Sequence, residues 1–294
     1  MRNGQTPQAF KRSVIKAAYE KALLDPLFKT TDDCGVVLKY LPDESIYVVN
    51  GEQFNMKLTY KEDIFLLDKL FQLRSIRNQP TLLVKSDIEE LHGKVVVVFG
   101  GTYGIGQEIC EICREYKTTL YVYSRSTGVD VSNSQSVRRV LSEIYEKEGR
   151  IDWIVNTAGI LDKQPLANMS YEVVHRSIDI NYLGNIIVAK ESFSYLKESK
   201  GSLLFFTSSS YTRGRALYSL YSSSKAAIVN FVQALSEEWF EYDIRVNCIN
   251  PERTKTPMRI QNFGNEPEDT LLEPKVVAIV SVNTCLLYTS PSPR

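Results

Sequence analysis

The chain has 294 residues, and its 35 Lys and Arg balance 35 Asp and Glu, so it carries no net formal charge. That balance argues against a broad surface for nucleic acid or an acidic membrane. No apolar run approaches the ~20 residues of a membrane helix, and the polar start MRNGQTPQAFKRS lacks a secretory apolar segment. The five scattered cysteines are expected to be reduced thiols in a cytoplasmic protein. With His92 and His175 as the whole histidine complement, a Ser-His-Asp hydrolase is not expected. No metal site is expected.

Residues 1–78 alternate helix and strand. An amphipathic helix is predicted from Phe10 to Leu24. TTDDCGVVLKYL follows, then a strand-like IYVVNG (46–51), NMKLT (55–59) and a helix from Tyr60 to about Ile76. So few strands make a poor core by themselves. Pro80 breaks the preceding helix, and residues 79–92 read as a linker.

From residue 93 the pattern becomes regular. Val95 to Phe99 is a short apolar strand of the kind buried on both faces. Gly100, Gly101, Gly104 and Gly106 follow, and then the helical run QEICEICREY. Glycines let the backbone approach a pyrophosphate, and a helix N-terminus offers free N–H groups with a partial positive charge. Cys110 and Cys113, three apart on that helix, are expected to be packing residues. A second strand, Thr119 to Tyr123, ends in Ser124-Arg125-Ser126. An acid at this position would bind a ribose 2′-hydroxyl; Arg125 points instead to the 2′-phosphate of NADP. Beyond Asp130-Val131 come a helix from Ser134 to Glu148, a buried strand from Ile151 to Val155, and Asn156-Thr157-Ala158-Gly159, whose small residues suit a ligand lying across a sheet edge. A further helix carries Asn181. The strand SLLFF then ends in Thr207-Ser208-Ser209-Ser210.

Tyr221-Ser222-Ser223-Ser224-Lys225 is the strongest single signal. It opens a helix with Ile228, Val232, Leu235 and Trp239 on its apolar stripe, which places Tyr221 and Lys225 on one face. A neighbouring ammonium is expected to lower the tyrosine pKa from about 10 and make it a usable proton donor.

Together these residues resemble the short-chain dehydrogenase/reductase family, from Gly93 to about Val282. The glycine motif is Phe99 to Gly106, N-x-A-G is Asn156 to Gly159, the structural asparagine is Asn181, and Y-x-x-x-K is Tyr221 to Lys225. The serine thirteen before the tyrosine is Ser208, with Ser209 the alternative. The resemblance implies a doubly wound parallel α/β sheet of Rossmann type and a homo-oligomer, dimer or tetramer. It implies catalysis by Asn181, Ser208, Tyr221 and Lys225. It places NADP(H) against Gly100, Thr102, Tyr103, Gly104, Ile105, Gly106, Arg125, Asp130, Val131, Asn156, Ala158, Gly159, Tyr221, Lys225, Pro251, Thr254 and Thr256. Two positions depart from the family. Phe99 replaces a threonine that supports the glycine turn, and Glu252 replaces a glycine after the sixth strand, IRVNCIN.

The N-terminal part resembles the last third of an IspD-like cytidylyltransferase, through TPQAF, TTDDCG, Val49-Asn50-Gly51 and Asn55-Met56-Lys57-Leu58-Thr59 with Glu62-Asp63. Thr31 and Lys57 would there contact an alcohol phosphate. No CTP-binding loop matches, so CTP and Mg2+ are expected only for a complete transferase. Basic residues at 253–259 and Arg213 and Arg215 suit a small phosphorylated sugar as substrate, with Arg213 and Arg253 as the phosphate candidates. The whole resembles the bifunctional ribulose 5-phosphate reductase/ribitol 5-phosphate cytidylyltransferases of CDP-ribitol synthesis. The expected activity is NADPH-dependent reduction of that ketose. The alternatives are a ketoreductase for another carbonyl and a non-catalytic NADP-binding fragment. After PKVVA neither a helix nor the family's seventh strand is expected, which would expose a sheet edge, and residues 284–294 read as a non-native tail of an incomplete chain.

Overall fold

A computed structural model describes residues 8–30, 32–49, 56–64, 66–67 and 91–286. The chain forms two compact units, residues 1–77 and 78–294. In the first, helices α1 (Arg12–Ala22) and α2 (Asp33–Tyr40) close over Ala18, Ala22, Val36 and Val37. The Asp32 carboxylate caps α2 by accepting from Gly35 N at 2.7 Å. The strand expected at 46–51 does not form across its described residues, and Tyr47 and Val49 are exposed. A strand needs a ladder partner, and none lies beside this segment among the described residues. Residues 61–64 are helical, as expected, and most of the rest of that predicted helix lies outside the described residues.

The second unit is built on five parallel strands: β1 (Val95–Phe99), β2 (Thr119–Tyr123), β3 (Trp153–Asn156), β4 (Ser202–Phe206) and β5 (Arg245–Ile249), in the order β2-β1-β3-β4-β5. Helix α3 (Gly104–Glu115) follows β1, and α4 (Ser134–Glu148) follows β2. After β3 come α5 (Tyr171–Ile178), a π-helical turn (Asp179–Leu183) and α6 (Gly184–Ser199); α7 (Ser219–Glu238) follows β4. The last two helices are α8 (Pro257–Phe263) and α9 (Pro274–Leu286). Alternate residues of β1 serve two cores. Val95, Val97 and Phe99 meet Val140 and Ile144 of α4 and Ile228 of α7; Val96 and Val98 meet Ile109 and Cys113 of α3 and Val282 of α9. Helices on both faces explain why the strand is apolar throughout. The strand expected as the sixth is thus the fifth in order among the described residues.

Helix α9 corrects the expectation for the C-terminal segment. Pro274 starts it, and Val277, Ala278, Val282, Cys285 and Leu286 are buried along it. It packs against α3 and the β4–β5 end of the sheet. Beyond Lys275 the run carries no charged residue to mark a polar face, so the usual amphipathic signal is missing. Ser281 and Thr284 satisfy their hydroxyls by donating to Val277 O and Val280 O, each at 2.8 Å. Cys285 and Leu286, placed in the tail from sequence, belong to this helix and its core.

The chain passes from β2 back across β1 to β3, so connections leave β1 and β3 in opposite directions along the sheet. A crevice opens at such a reversal, beyond the C-terminal strand ends.

Candidate active site

The crevice is a cleft of about 440 Å³. Its floor is the corner between β1 and α3. Gly100 has φ +80°, and a Cβ there would stand 2.6 Å from Ala158 N. At Gly106 a Cβ would stand 2.5 Å from both Gly100 O and Thr157 Oγ1. Nothing larger than glycine fits the two positions. Phe99, where the family has a threonine, does not loosen the turn. Its carbonyl accepts from Thr157 N at 2.8 Å and Thr157 Oγ1 at 3.0 Å, and Gly100 N donates to Tyr123 O at 2.7 Å. Tyr103, before α3, makes no side-chain cap, which leaves the first N–H groups of the helix for a ligand. The hydroxyl of Thr102 is buried without a hydrogen-bond partner among the described residues. A tight, donor-rich corner of this kind fits the pyrophosphate of a dinucleotide.

Of the residues expected to bind cofactor, Gly100, Tyr103, Gly104, Ile105, Gly106, Ala158, Gly159, Tyr221, Lys225, Pro251, Thr254 and Thr256 line the cleft. Thr102, Arg125, Asp130, Val131 and Asn156 stand outside its lining. Arg125 is exposed and opens a 3-10 turn at the end of β2. Asp130 Oδ1 accepts from Ser132 N and Oγ at 2.9 and 2.7 Å, and Val131 is buried in the core. Asn156 donates to Asn185 Oδ1 at 3.0 Å and accepts from Ala158 N at 3.1 Å, which shapes the turn after β3.

Tyr221 lies in the first turn of α7, with Lys225 buried one turn later. Thr207 Oγ1 donates to Lys225 O at 2.7 Å and ties α7 to the end of β4. Ser208 begins the short turn after that strand. Its hydroxyl accepts from Ser210 N at 3.3 Å, and Ser208 stands near enough to the Tyr221 phenol to act on its pKa. Lys225 Nζ donates to Phe206 O at 2.8 Å and lies 5.5 Å from the centre of the Tyr221 ring. Burial pulls the Lys225 pKa down to about 8, against the nearby Cys248 thiol. The expected lowering of the Tyr221 pKa is reversed. Burial raises it, and the hydrogen bond from Ser208 and the charge of Arg259 only partly offset that rise. A phenolate in a half-dry pocket loses more hydration than these neighbours return.

Asn181 sits in the π-helical turn, fully buried. Its side-chain amide is engaged with Ile160, accepting from Ile160 N and donating to Ile160 O, both at 2.9 Å. It holds the Gly159–Ile160 loop, where a Cβ on Gly159 would come 3.2 Å from Asn181 Oδ1 and 3.7 Å from Lys225 Nζ.

On the outer wall Arg253 lines the cleft, as expected, and Arg213 does not; Arg215, two residues on, takes that place. The loop is irregular, so no periodicity says which arginine faces inward. Arg259, the last of the basic run at 253–259, also lines the wall with Met258 beside it; Tyr218, Phe263 and Glu266 line it too and were not singled out. In the other unit Lys57 is exposed, and Thr31 lies outside the described residues. Cys110 and Cys113 are core residues whose thiols burial pushes up to about 11 and about 12. Among the described residues no helix is long and apolar enough to cross a membrane.

Residues 126–267 match the short chain dehydrogenase family. Acetoacetyl-CoA reductase of Acinetobacter sp. (strain RA3849) is 32% identical over 188 residues, which cover 56% of this chain and 76% of that protein. The chain belongs to the short chain dehydrogenase family. Residues 1–72 match the 2-C-methyl-D-erythritol 4-phosphate cytidylyltransferase family. Both parts align at once with a bifunctional ribulose 5-phosphate reductase/CDP-ribitol pyrophosphorylase of Haemophilus influenzae, 48% identical over 279 residues. That alignment covers 95% of this chain, which spans 59% of the length of that relative. In fold, the chain is similar to a 3-ketoacyl-(acyl-carrier-protein) reductase from Brucella melitensis. The TM-score is 0.62 at 21% identity, over 66% of this chain and 91% of that one.

Proposed function

We propose that this short chain dehydrogenase reduces the ketone of ribulose 5-phosphate to ribitol 5-phosphate with NADPH, within CDP-ribitol synthesis. The observation that carries the reading is that Ser208, Tyr221 and Lys225 line one cleft whose outer wall bears Arg215, Arg253 and Arg259. The bifunctional relative, named for this reduction, supports the substrate.

The glycine corner and Thr254 and Thr256 hold the dinucleotide, and Arg125, with no acid beside it at the end of β2, favours the 2′-phosphate of NADP over NAD. Bound nicotinamide supplies the hydride. Ser208 and Tyr221 hold the substrate carbonyl oxygen, and as negative charge builds there the Tyr221 hydroxyl delivers its proton. A phenol whose pKa is raised keeps that proton at neutral pH, which suits the reducing direction. Lys225 spends one of its N–H donors on Phe206 O, and its others are assigned to the cofactor ribose. Asn181 positions the loop beside Lys225.

In the N-terminal unit Lys57 and Thr31 are assigned to the alcohol phosphate, with CTP and Mg2+ the cofactors of the complete transferase. The protein is assigned to the cytoplasm as a homo-oligomer. The test is product identification: the chain, supplied with NADPH and ribulose 5-phosphate, yields ribitol 5-phosphate with equal loss of NADPH. Turnover of acyl or steroid-like ketones alone would overturn the substrate.

A further inference from the structure

The outer wall of the cleft holds a charge cluster that proton transfer does not use. Arg259 Nε and Nη2 donate to Glu266 Oε2 and Oε1 at 2.6 and 2.8 Å. Arg253 Nη1 stands 3.8 Å from the same carboxylate. The ring of Phe263 lies 4.5 Å from the Arg259 guanidinium and 4.4 Å from Lys163 Nζ. Arg253, Arg259, Phe263 and Glu266 line the cleft together with Arg215, Ser208 and Tyr221.

Two guanidinium groups so close repel each other, and one carboxylate shared between them removes that cost. Three cations, Arg253, Arg259 and Lys163, surround the single Glu266 carboxylate, and they hold it below the usual carboxylate range; the Arg259 hydrogen bond is the largest cause. The cluster therefore keeps a net positive charge. Arg259 meets Glu266 through one side of its fork, and Nη1 has no hydrogen bond among the described residues. That edge, with Arg253 and Arg215, matches what a phosphate requires: planar donors and excess positive charge. Arg259 is also close enough for its charge to act on the Tyr221 phenol, so an anion held there lies within one short ligand of the reacting carbonyl.

We propose that Glu266 is a positioning residue that gathers Arg259 and Arg253 into a paired-guanidinium site, and that this pair, with Arg215, takes the phosphate of the substrate. The assignment rests on the sugar-phosphate reading above. It moves the decisive contact from Arg213 to Arg259, the last of the basic run at 253–259.

The experiment compares kcat/KM of the 294-residue chain for ribulose 5-phosphate and for unphosphorylated D-ribulose. The preference for the phosphorylated ketose is expected to fall about 50-fold in Arg259→Gln, mainly through KM, the scale of a lost charge-assisted pair. Arg259→Lys retains a point charge without the fork and falls between. Glu266→Gln is expected to lower the preference about 10-fold although both arginines remain. A cluster that only braces α8 would slow both ketoses equally and leave the ratio unmoved, which would overturn the proposal. A ratio that rises in Glu266→Gln would show the carboxylate competing with phosphate and overturn its positioning role. A wild type that reduces neither ketose defeats the functional reading instead. Calorimetric titration of the NADP-saturated protein with inorganic phosphate then decides the site: about 10-fold weaker binding in Arg259→Gln supports it, and unchanged binding removes it.

Discussion

The Lys225 ammonium lies 5.5 Å from the centre of the Tyr221 ring and donates to the Phe206 carbonyl at 2.8 Å. The amine is therefore fixed by β4, independently of the tyrosine, in a place where burial lowers its pKa to about 8 from 10.5. A shift of this size makes the charge of Lys225 a matter of fold stability as well as chemistry.

Its sign is definite. Between pH 8 and 10.5 the unfolded chain keeps a proton that the folded chain has shed, so the contribution of Lys225 to stability rises with pH across that window. Below pH 8 the buried ammonium is a standing cost, roughly 3 kcal/mol at 1.36 kcal/mol per unit. Replacing Lys225 by Met should flatten the dependence. Urea unfolding at the two ends of the window checks it, and parallel wild-type and variant curves would speak against it.

Gly106→Ala tests the cradle. Its methyl group would meet Gly100 O and Thr157 Oγ1 at 2.5 Å. The corner must open, at a cost of about 1–3 kcal/mol in stability. NADPH affinity should fall with it, because the displaced backbone is the proposed pyrophosphate seat. Thermal unfolding and a fluorescence titration with NADPH measure the two effects. Unchanged affinity would place the dinucleotide elsewhere.

Arg125→Glu tests the choice of cofactor. The arginine is exposed at the end of β2, free to reach a 2′-phosphate. Its loss should raise KM for NADPH about 10-fold or more and favour NADH, which carries a 2′-hydroxyl that the new carboxylate accepts. Steady-state kinetics with both nucleotides read the ratio, and a constant ratio would remove Arg125 from the site.

The second unit was legible where local chemistry and periodicity coincide. Val95–Phe99 is apolar at every position because helices cover both faces, and the glycines after it mark a corner that no side chain fits. The four-residue spacing of Tyr221 and Lys225 brings them to one side of α7, and the serines that spacing marks at the end of β4, Ser208 and Ser209, both line the cleft. What escaped depends on distant contacts. Helix α9 lacks a polar stripe, so its burial against α3 is invisible in the run VVAIVSVNTCLL. IYVVNG looks like a strand, yet across its described residues it has no ladder partner. Arg259 and Glu266 meet across a bend, at seven residues' separation. The Tyr221 pKa shift changed sign because burial, which no spacing reveals, outweighs the neighbours.

The most direct measurement is NADPH oxidation with ribulose 5-phosphate by the chain and by its Tyr221→Phe variant, which keeps the ring and removes only the hydroxyl. Loss of a general acid predicts a fall in kcat of about 100- to 10,000-fold with NADPH binding retained. Turnover within a few-fold of wild type would contradict the assignment of Tyr221 as the proton donor.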